Sequence, residues 1–219
     1  MNLSIAEENY IKSIYKLQEG DTVVTTNALA YELETKPASV TDMAKKLKDK
    51  KLIDYEKYKG FTLSAEGKKI ALQIVRRHRL WECFLVDKLH FSWEEVHELA
   101  EELEHVRSEK LTNRLSEYLG NPLFDPHGDP IPDANGKLTK PRPQTSLDQA
   151  TAKRVVVTAV TDQSTALLAF LNAKHIKLST QLEIVEHYEY DNSIEIKIKQ
   201  QPSITISEQV AKNIMVRPV

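Results

Sequence analysis

The chain has 219 residues, 41% hydrophobic and 28% charged, with 30 Lys and Arg against 32 Asp and Glu for a formal net charge of −2. That is length for one or two domains with real cores, and the composition excludes wholesale disorder and collagen-type repeats. No apolar run nears the roughly 20 residues of a membrane span, the opening residues carry no secretory pattern, and the single cysteine, Cys83, excludes an intrachain disulfide or a Cys-rich zinc site; the expectation is a cytoplasmic protein with no membrane partner.

Ser4-x-x-Glu7 is a capping box opening a first helix, whose apolar stripe is Ile11, Ile14, Tyr15 and Leu17 and whose end is marked by Gly20. Thr26 is expected to cap a second, short helix carrying Leu29, Ala30 and Leu33. After Glu34-Thr35-Lys36, Pro37 stands where a first helical turn tolerates proline, and Val40, Met43, Ala44 and Leu47 keep helical spacing to about Lys51. Two β-type runs follow, Leu52 to Tyr55 and Gly60 to Leu63. Ser64 caps a long helix to about Lys88. Ser92-x-x-Glu95 opens another, expected to run unbroken to Leu119. Residues 121–152 hold six of the nine prolines and read as an irregular connector. Beyond Lys153, Val155 to Val157, Leu182 to Val185, Ile194 to Ile198 and Ile204 to Ile206 read as short strands, interrupted by a helix from about Ser164 to Ala173. The expectation is mainly α with a small β domain: a DNA-reading module over 1–70, a helical domain over 71–120, the connector over 121–152 and a β-rich domain over 153–219.

Charge is segregated. Lys36 to Lys69 contains ten lysines against five acids, while Glu82 to Glu104 contains eight acids against Lys88 alone. A basic block that tracks one folded module points to polyanion contact. Helix, three-residue turn, Pro-started helix and hairpin is the order of a winged helix-turn-helix. Its second helix enters a major groove, so Pro37, Ala38, Ser39, Thr41 and Asp42 occupy the turns that face base edges. Lys45 and Lys46, with Lys48, Lys50 and Lys51 beyond, can neutralise phosphates, and Lys57 and Lys59 sit at the wing tip. Thr26 opens the helix that would cross the backbone. A winged helix used for protein docking is the competing reading.

The acidic block carries histidines. His97, Glu101, Glu104 and His105 fall at i, i+4, i+7 and i+8, one face of a continuous helix, and His78 and Glu82 are i and i+4 on the helix before it. Six imidazole and carboxylate groups on neighbouring helices fit a divalent metal. The H-E-x-x-H of a zinc protease is absent. A di-iron bundle needs E-x-x-H on two helices, whereas Glu94-x-x-His97 and Glu102-x-x-His105 share one. A metal-dependent enzyme on a helical scaffold stays the remote alternative to a metal-sensing transcription factor that is no enzyme and takes no small-molecule substrate.

Glu8 to Tyr15, Pro37 to Thr41, Arg77 to Glu82, Val96-His97, Leu103 to Val106 and Asp125 to Pro132 resemble the signature segments of the diphtheria toxin repressor family, which includes the manganese transport regulators. The resemblance covers nearly the whole chain. It implies an N-terminal winged helix-turn-helix, a helical metal-binding and dimerisation domain and a C-terminal small β-barrel of the Src-homology type. It implies a homodimeric repressor that binds operator DNA when loaded with Mn(II), or with Fe(II), and controls metal-uptake genes. The principal metal site would fall on Asn9, His78, Glu101, Glu104 and His105. Glu101, where some iron-type members have cysteine, matches the manganese-type pattern. Asn9 stands where the manganese type often has aspartate, and Lys12 at a further first-helix carboxylate position, so negative charge is lost there. A second site would use either His78, Glu82 and His97 with barrel ligands or Glu82, Asp125, His127 and Asp162; the second set is preferred, since His78 cannot readily serve both sites. His90, His175 and His187 read as surface residues, Cys83 as core packing, and Trp81 and Trp93 as core or dimer contacts.

Overall fold

The computed structural model describes residues 3–18, 22–56, 59–140, 143–199 and 201–219. The expected stop at Gly20 and the wing-tip Lys57 lie outside them. The chain divides into two compact units. The first is the chain up to Arg79 with Glu101–Arg114 and Pro132–Lys137; the second is Leu80–Ala100, Leu115–Ile131 and Leu138–Val219.

In the first unit, α1 (Ile5–Leu17) starts at the expected capping box, with both reciprocal bonds between Ser4 and Glu7 present, and ends with Gln18 as its C-cap. The second helix, α2 (Thr26–Glu32), is capped by Thr25, one residue earlier than expected: the Thr25 side chain accepts the Ala28 amide and Thr26 becomes the first helical residue. Either hydroxyl satisfies the pattern in sequence, and only backbone geometry separates them. Helix α3 (Pro37–Asp49) begins at its proline as expected. Strands β1 (Ile53–Glu56) and β2 (Gly60–Leu63) pair antiparallel. Val24 bridges to Phe61 beside them, which brings its carbonyl onto Gly60; a Cβ there would stand 2.3 Å from that oxygen, at φ +121°. Ile11, Leu29, Val40, Leu47, Leu52 and Phe61 are wholly buried and weld α1, α2, α3 and the hairpin into one core. Each such side chain stabilises the unit by roughly 1.5–3 kcal/mol.

Helix α4 (Ala65–Leu89) is capped by Ser64, whose Oγ accepts the Gly67 amide at 3.1 Å. The next expected helix is broken in two: α5 (Val96–Leu103) and α6 (Glu109–Tyr118) are separated by a turn at Glu104-His105 and extended residues 106–108. Ser108 provides the physical reason. Its Oγ accepts the Leu111 amide, a second N-cap inside what reads in sequence as one amphipathic run. Ser92 and Glu95 do interact as a cap, but the chain turns through residues 93–95 before α5 begins.

The second unit carries a six-stranded antiparallel sheet in the order β3-β8-β4-β5-β6-β7: β3 (Thr145–Ser146), β4 (Arg154–Val160), β5 (Gln181–His187), β6 (Ile194–Lys197), β7 (Ile204–Ile206) and β8 (Ile214–Pro218). Helix α7 (Thr165–Ala173) is capped by Ser164, and a short α8 (Glu208–Lys212) precedes the last strand. The four expected strands and α7 are present; β3, α8 and β8 are additions. Leu147, Leu168, Leu171, Ile176, Ile194, Ile196, Ile214 and Val216 form its core, and Trp93 packs into the same cluster. A smaller cluster joins Leu80, Cys83, Leu115 and Ile131. Leu80 and Leu85 are buried within the chain itself, while Phe84, Leu99 and Leu103 keep partial exposure. His90, His175 and His187 are exposed. Among the described residues no helix is long and apolar enough to cross a membrane.

Burial, reinforced by Asp125, Asp87 and Glu82, pushes the Cys83 thiol up and keeps it protonated and inert. Alkylation by iodoacetamide at pH 8, followed by mass spectrometry, is expected to leave Cys83 unmodified in the folded chain and to label it in denaturant. Rapid labelling of the folded chain would contradict this packing.

Candidate metal centres and nucleic-acid interface

The break between α5 and α6 decides where the ligand-type side chains go. On an unbroken helix His97, Glu101, Glu104 and His105 would share one face. Instead His97 and Glu101 lie on α5, and Glu104 and His105 lie in the turn that follows it; Glu101, Glu104 and His105 belong to the first unit and His97 to the second.

In the first unit the buried face of α1 meets α4 and that turn. Glu104 is fully buried, and its Oε2 lies 2.7 Å from His78 Nδ1. His105 Nδ1 lies 2.7 Å from Glu8 Oε2. A neutral imidazole donating there carries its lone pair on Nε2, which stands 4.0 Å from Glu104 Oε1. Asn9 Oδ1 is buried and accepts no hydrogen bond among the described residues. The Lys12 ammonium lies 2.8 Å from Glu101 Oε1 and 2.7 Å from Glu104 Oε1. Glu8 Oε1 is met by Arg77 Nη2 at 3.2 Å and Arg107 Nε at 3.1 Å. Burial pulls the Arg77 guanidinium down, and Glu8 and Glu104 hold it up. The structure therefore brings His78, Glu101, Glu104 and His105 together around Lys12, and Asn9 lies on α1, the helix that carries Lys12. The donors are hard oxygens and imidazole nitrogen, and Asn9 Oδ1 is a buried acceptor in want of a cation, so the set fits Mn(II) or Fe(II).

Glu8 was not singled out from sequence as a functional residue. It is 3% exposed and orients His105, as outer carboxylates orient metal-bound imidazoles. Its signal was available: Glu8 lies three residues before Ile11, on the inward stripe of α1, where a carboxylate is out of place.

In the second unit Glu82, Asp125 and His127 are all buried and offer ligand atoms within 4.8 Å of one another. His127 Nε2 lies 3.0 Å from the Trp93 carbonyl, which can only accept, so the proton is on Nε2. The ring also stacks on the Trp93 indole, centroids 6.0 Å apart. In the neutral ring the lone pair is then on Nδ1, which is buried, receives no hydrogen bond among the described residues, and faces Glu82 Oε1 at 3.8 Å. Two acceptors held face to face in a dry site fit a shared cation. Asp125 Oδ1 accepts the amides of His127 at 2.8 Å and Asp129 at 3.0 Å, so turn chemistry and ligand placement are served by the same carboxylate. His97 Nδ1 stands 3.6 Å from Glu82 Oε1 at the rim. Asp162 is not brought in: it is exposed, and its carboxylate accepts the Ser164 amide at 2.8 Å as part of the α7 start. The adjacent Gln163 turns inward instead and donates to Asp129 Oδ2 at 3.0 Å.

On α3, Pro37, Ala38, Ser39, Asp42, Lys45 and Lys46 are exposed on one end and flank, with Thr41 half-buried and its hydroxyl donating to the Pro37 carbonyl. Lys59 is exposed on the hairpin and Thr26 is half-buried at the start of α2. Two lysines expected to face phosphates have structural partners: Lys48 donates to the Tyr55 carbonyl at 3.0 Å, and Lys50 pairs with Glu7. Lys45 lies 3.1 Å from Asp42, an exposed pair of little strength.

A winged helix with a lysine-bearing reading helix, joined to buried carboxylate–imidazole clusters, defines the class: a metal-responsive DNA-binding regulator. Comparison with known proteins gives the family. Residues 2–61 match the iron dependent repressor N-terminal DNA binding domain, residues 64–133 the iron dependent repressor metal binding and dimerisation domain, and residues 146–218 the FeoA domain. The HTH-type transcriptional regulator MntR of Oceanobacillus iheyensis is 41% identical over 98 residues, covering 45% of this chain and 66% of that protein. The MntR of Bacillus subtilis is 38% identical over 102 residues, covering 45% and 68%. A solved manganese-dependent transcriptional repressor in complex with manganese is 32% identical, covers 97% of this chain and 100% of its own, and superposes with a TM-score of 0.83. ScaR with bound Zn²⁺ is 30% identical with a TM-score of 0.75, covering 97% and 99%. The chain belongs to the iron-dependent repressor family.

Gly128 sets the loop that carries His127. Its φ is +95°, and a Cβ would stand 2.3 Å from the Thr158 carbonyl and 2.6 Å from Ala159 Cα. Gly128→Ala is expected to destabilise the chain by about 1–3 kcal/mol and to weaken divalent-metal binding at the second-unit cluster. Thermal unfolding with and without Mn(II) checks this; a variant as stable and as metal-responsive as the parent would contradict it.

Proposed function

We propose that this protein is a metal-activated transcriptional repressor that grips operator DNA as a homodimer when loaded with Mn(II), acts in the cytoplasm, controls metal-uptake genes and works by binding rather than catalysis. The observation that carries the reading is the pairing, within the first unit, of a lysine-bearing reading helix with a ligand set that straddles its own α1 and the chain beyond it. Asn9 comes from α1, His78 from α4, and Glu101, Glu104 and His105 from α5 and the following turn. The MntR relatives and the manganese-bound neighbour support Mn(II) as the effector.

Asn9, His78, Glu101, Glu104 and His105 would hold one ion, and Glu82, Asp125 and His127, with His97 at the rim, a second. A bound ion supplies two positive charges that draw these donors together. The chain's own groups do the rest. Glu8 fixes the His105 ring, and the Trp93 carbonyl fixes His127. Asn9 transmits the position of α1, and through the shared core of Ile11, Leu29, Val40 and Phe61 the position of α3, to the ligands. A held α3 presents Ser39, Thr41 and Asp42 to base edges, while Lys45, Lys46 and Lys59 meet phosphates. In a dimer the two reading helices must also keep one helical turn of spacing. DNA and metal strengthen each other's binding by the same factor.

Fe(II) is the second reading, favoured by the family's description as iron dependent. Affinity for oxygen and nitrogen donors does not by itself reject it, since Mn(II) binds most weakly in the series.

Fluorescence anisotropy with a duplex selected from genomic DNA tests the function. Mn(II) is expected to tighten duplex binding by about 5–150-fold over chelated protein, the usual span of such coupling, and anaerobic titration ranks Fe(II) against it. Equal affinity with and without metal contradicts the reading. Substituting Lys45 and Lys46 by Ala should weaken binding to all duplexes alike and flatten its salt dependence; an unchanged salt slope would move the phosphate contacts elsewhere.

A further inference from the structure

Lys12 does something that the ligand set alone does not require. Its ammonium sits between Glu101 and Glu104, within 2.8 Å of one and 2.7 Å of the other, where a cation shared by those carboxylates belongs. Its side chain is only 15% exposed, and Glu104 is wholly buried. The contact is between elements distant in sequence: α1 supplies the lysine, and α5 with its following turn supplies the acids. The charges of the cluster already balance. The carboxylates Glu8, Glu101 and Glu104 face Lys12, Arg77 and Arg107. Asn9, neutral, adds an oxygen and no charge.

A divalent ion entering this neutral, largely buried cluster would leave it with two excess positive charges. Such an excess is costly where water is scarce. Arg77 and Arg107 are tied to Glu8, on the far side of the His105 ring from Glu104, and Arg77 Nε also donates to the Glu104 carbonyl. Lys12 touches the oxygens of Glu101 and Glu104 themselves. Its flexible stem, four methylenes long, lets it withdraw with little loss of packing.

We propose that Lys12 is a tethered competitor for the first-unit metal site: its ammonium holds the cation position in the metal-free chain, and a divalent ion binds there by displacing it from Glu101 and Glu104. This rests on the reading of that cluster as a metal site. Lys12 then sets the concentration at which the site fills. It also gives the metal-free chain a link between α1 and the turn after α5, so loading exchanges one bridging cation for another rather than closing an empty gap.

The test is isothermal titration of the full chain with MnCl2, with circular dichroism to verify folding. His127→Ala removes the second-unit site and isolates the first. In that background Lys12→Met is expected to tighten Mn(II) binding by about tenfold or more, the scale on which one adjacent charge moves an ionic equilibrium. Lys12→Arg, which keeps the charge, should leave the affinity low. Lys12→Gln is the substitute where the methionine variant does not fold. Affinity that is unchanged or weaker in Lys12→Met and Lys12→Gln, while still abolished by Glu104→Gln, overturns the role of Lys12 and spares the site. Binding that survives Glu104→Gln overturns the site reading, and the proposal with it.

Discussion

A carboxylate sealed from water needs positive charge or hydrogen-bond donors at its oxygens, or it does not stay ionised. Glu104 is that carboxylate in the first unit and Glu82 in the second, at 0% and 1% exposure. Around Glu104 the chain gathers Lys12, His78 and His105. Around Glu82 it gathers His127 and His97. The demand of these two buried acids for positive charge or donors is the constraint on which the proposed metal response rests, from α1 through the winged-helix core to α3.

The turn between α5 and α6 takes Glu104 and His105 off the helix that carries His97 and Glu101. Had the helix continued to Leu119, His97 and Glu104 would have stood on one face and competed for one ion. The Ser108 cap ends that continuity, the Glu104 carbonyl accepts from Arg77, and Arg107 donates to the Leu3 carbonyl. These backbone contacts tie the break to α1 and α4. Glu101 near the end of α5, with Glu104 and His105 in the turn, belongs with the first unit, and His97, earlier on α5, with the sheet-bearing unit.

Much of this was legible in the sequence because it rests on local rules. The capping box at Ser4, the proline at the start of α3, the Ser64 cap and the alternating runs of β4 to β7 were read from spacing alone. The family resemblance named the clusters residue by residue. What stayed hidden depends on long-range contact. Thr25 and Thr26 are equivalent caps until φ and ψ are known. The α5 break is silent because residues 96–119 keep helical periodicity through it. Strand β8 was missed because Ile214 to Pro218 reads as a short tail until β4 pairs with it. Asp162 matched by resemblance, yet its carboxylate caps the approach to α7 and Gln163 turns inward instead. The position of Lys12 between two acids required the packing of α1 to be known.

The most direct test of two cation sites, one per unit, is anomalous diffraction at the manganese edge from crystals of the Mn(II)-loaded chain. The account predicts one peak bounded by Glu82, Asp125 and His127 and another bounded by Asn9, His78, Glu101, Glu104 and His105. Saturated crystals with no peak at either cluster, or with manganese only on other residues, would contradict it.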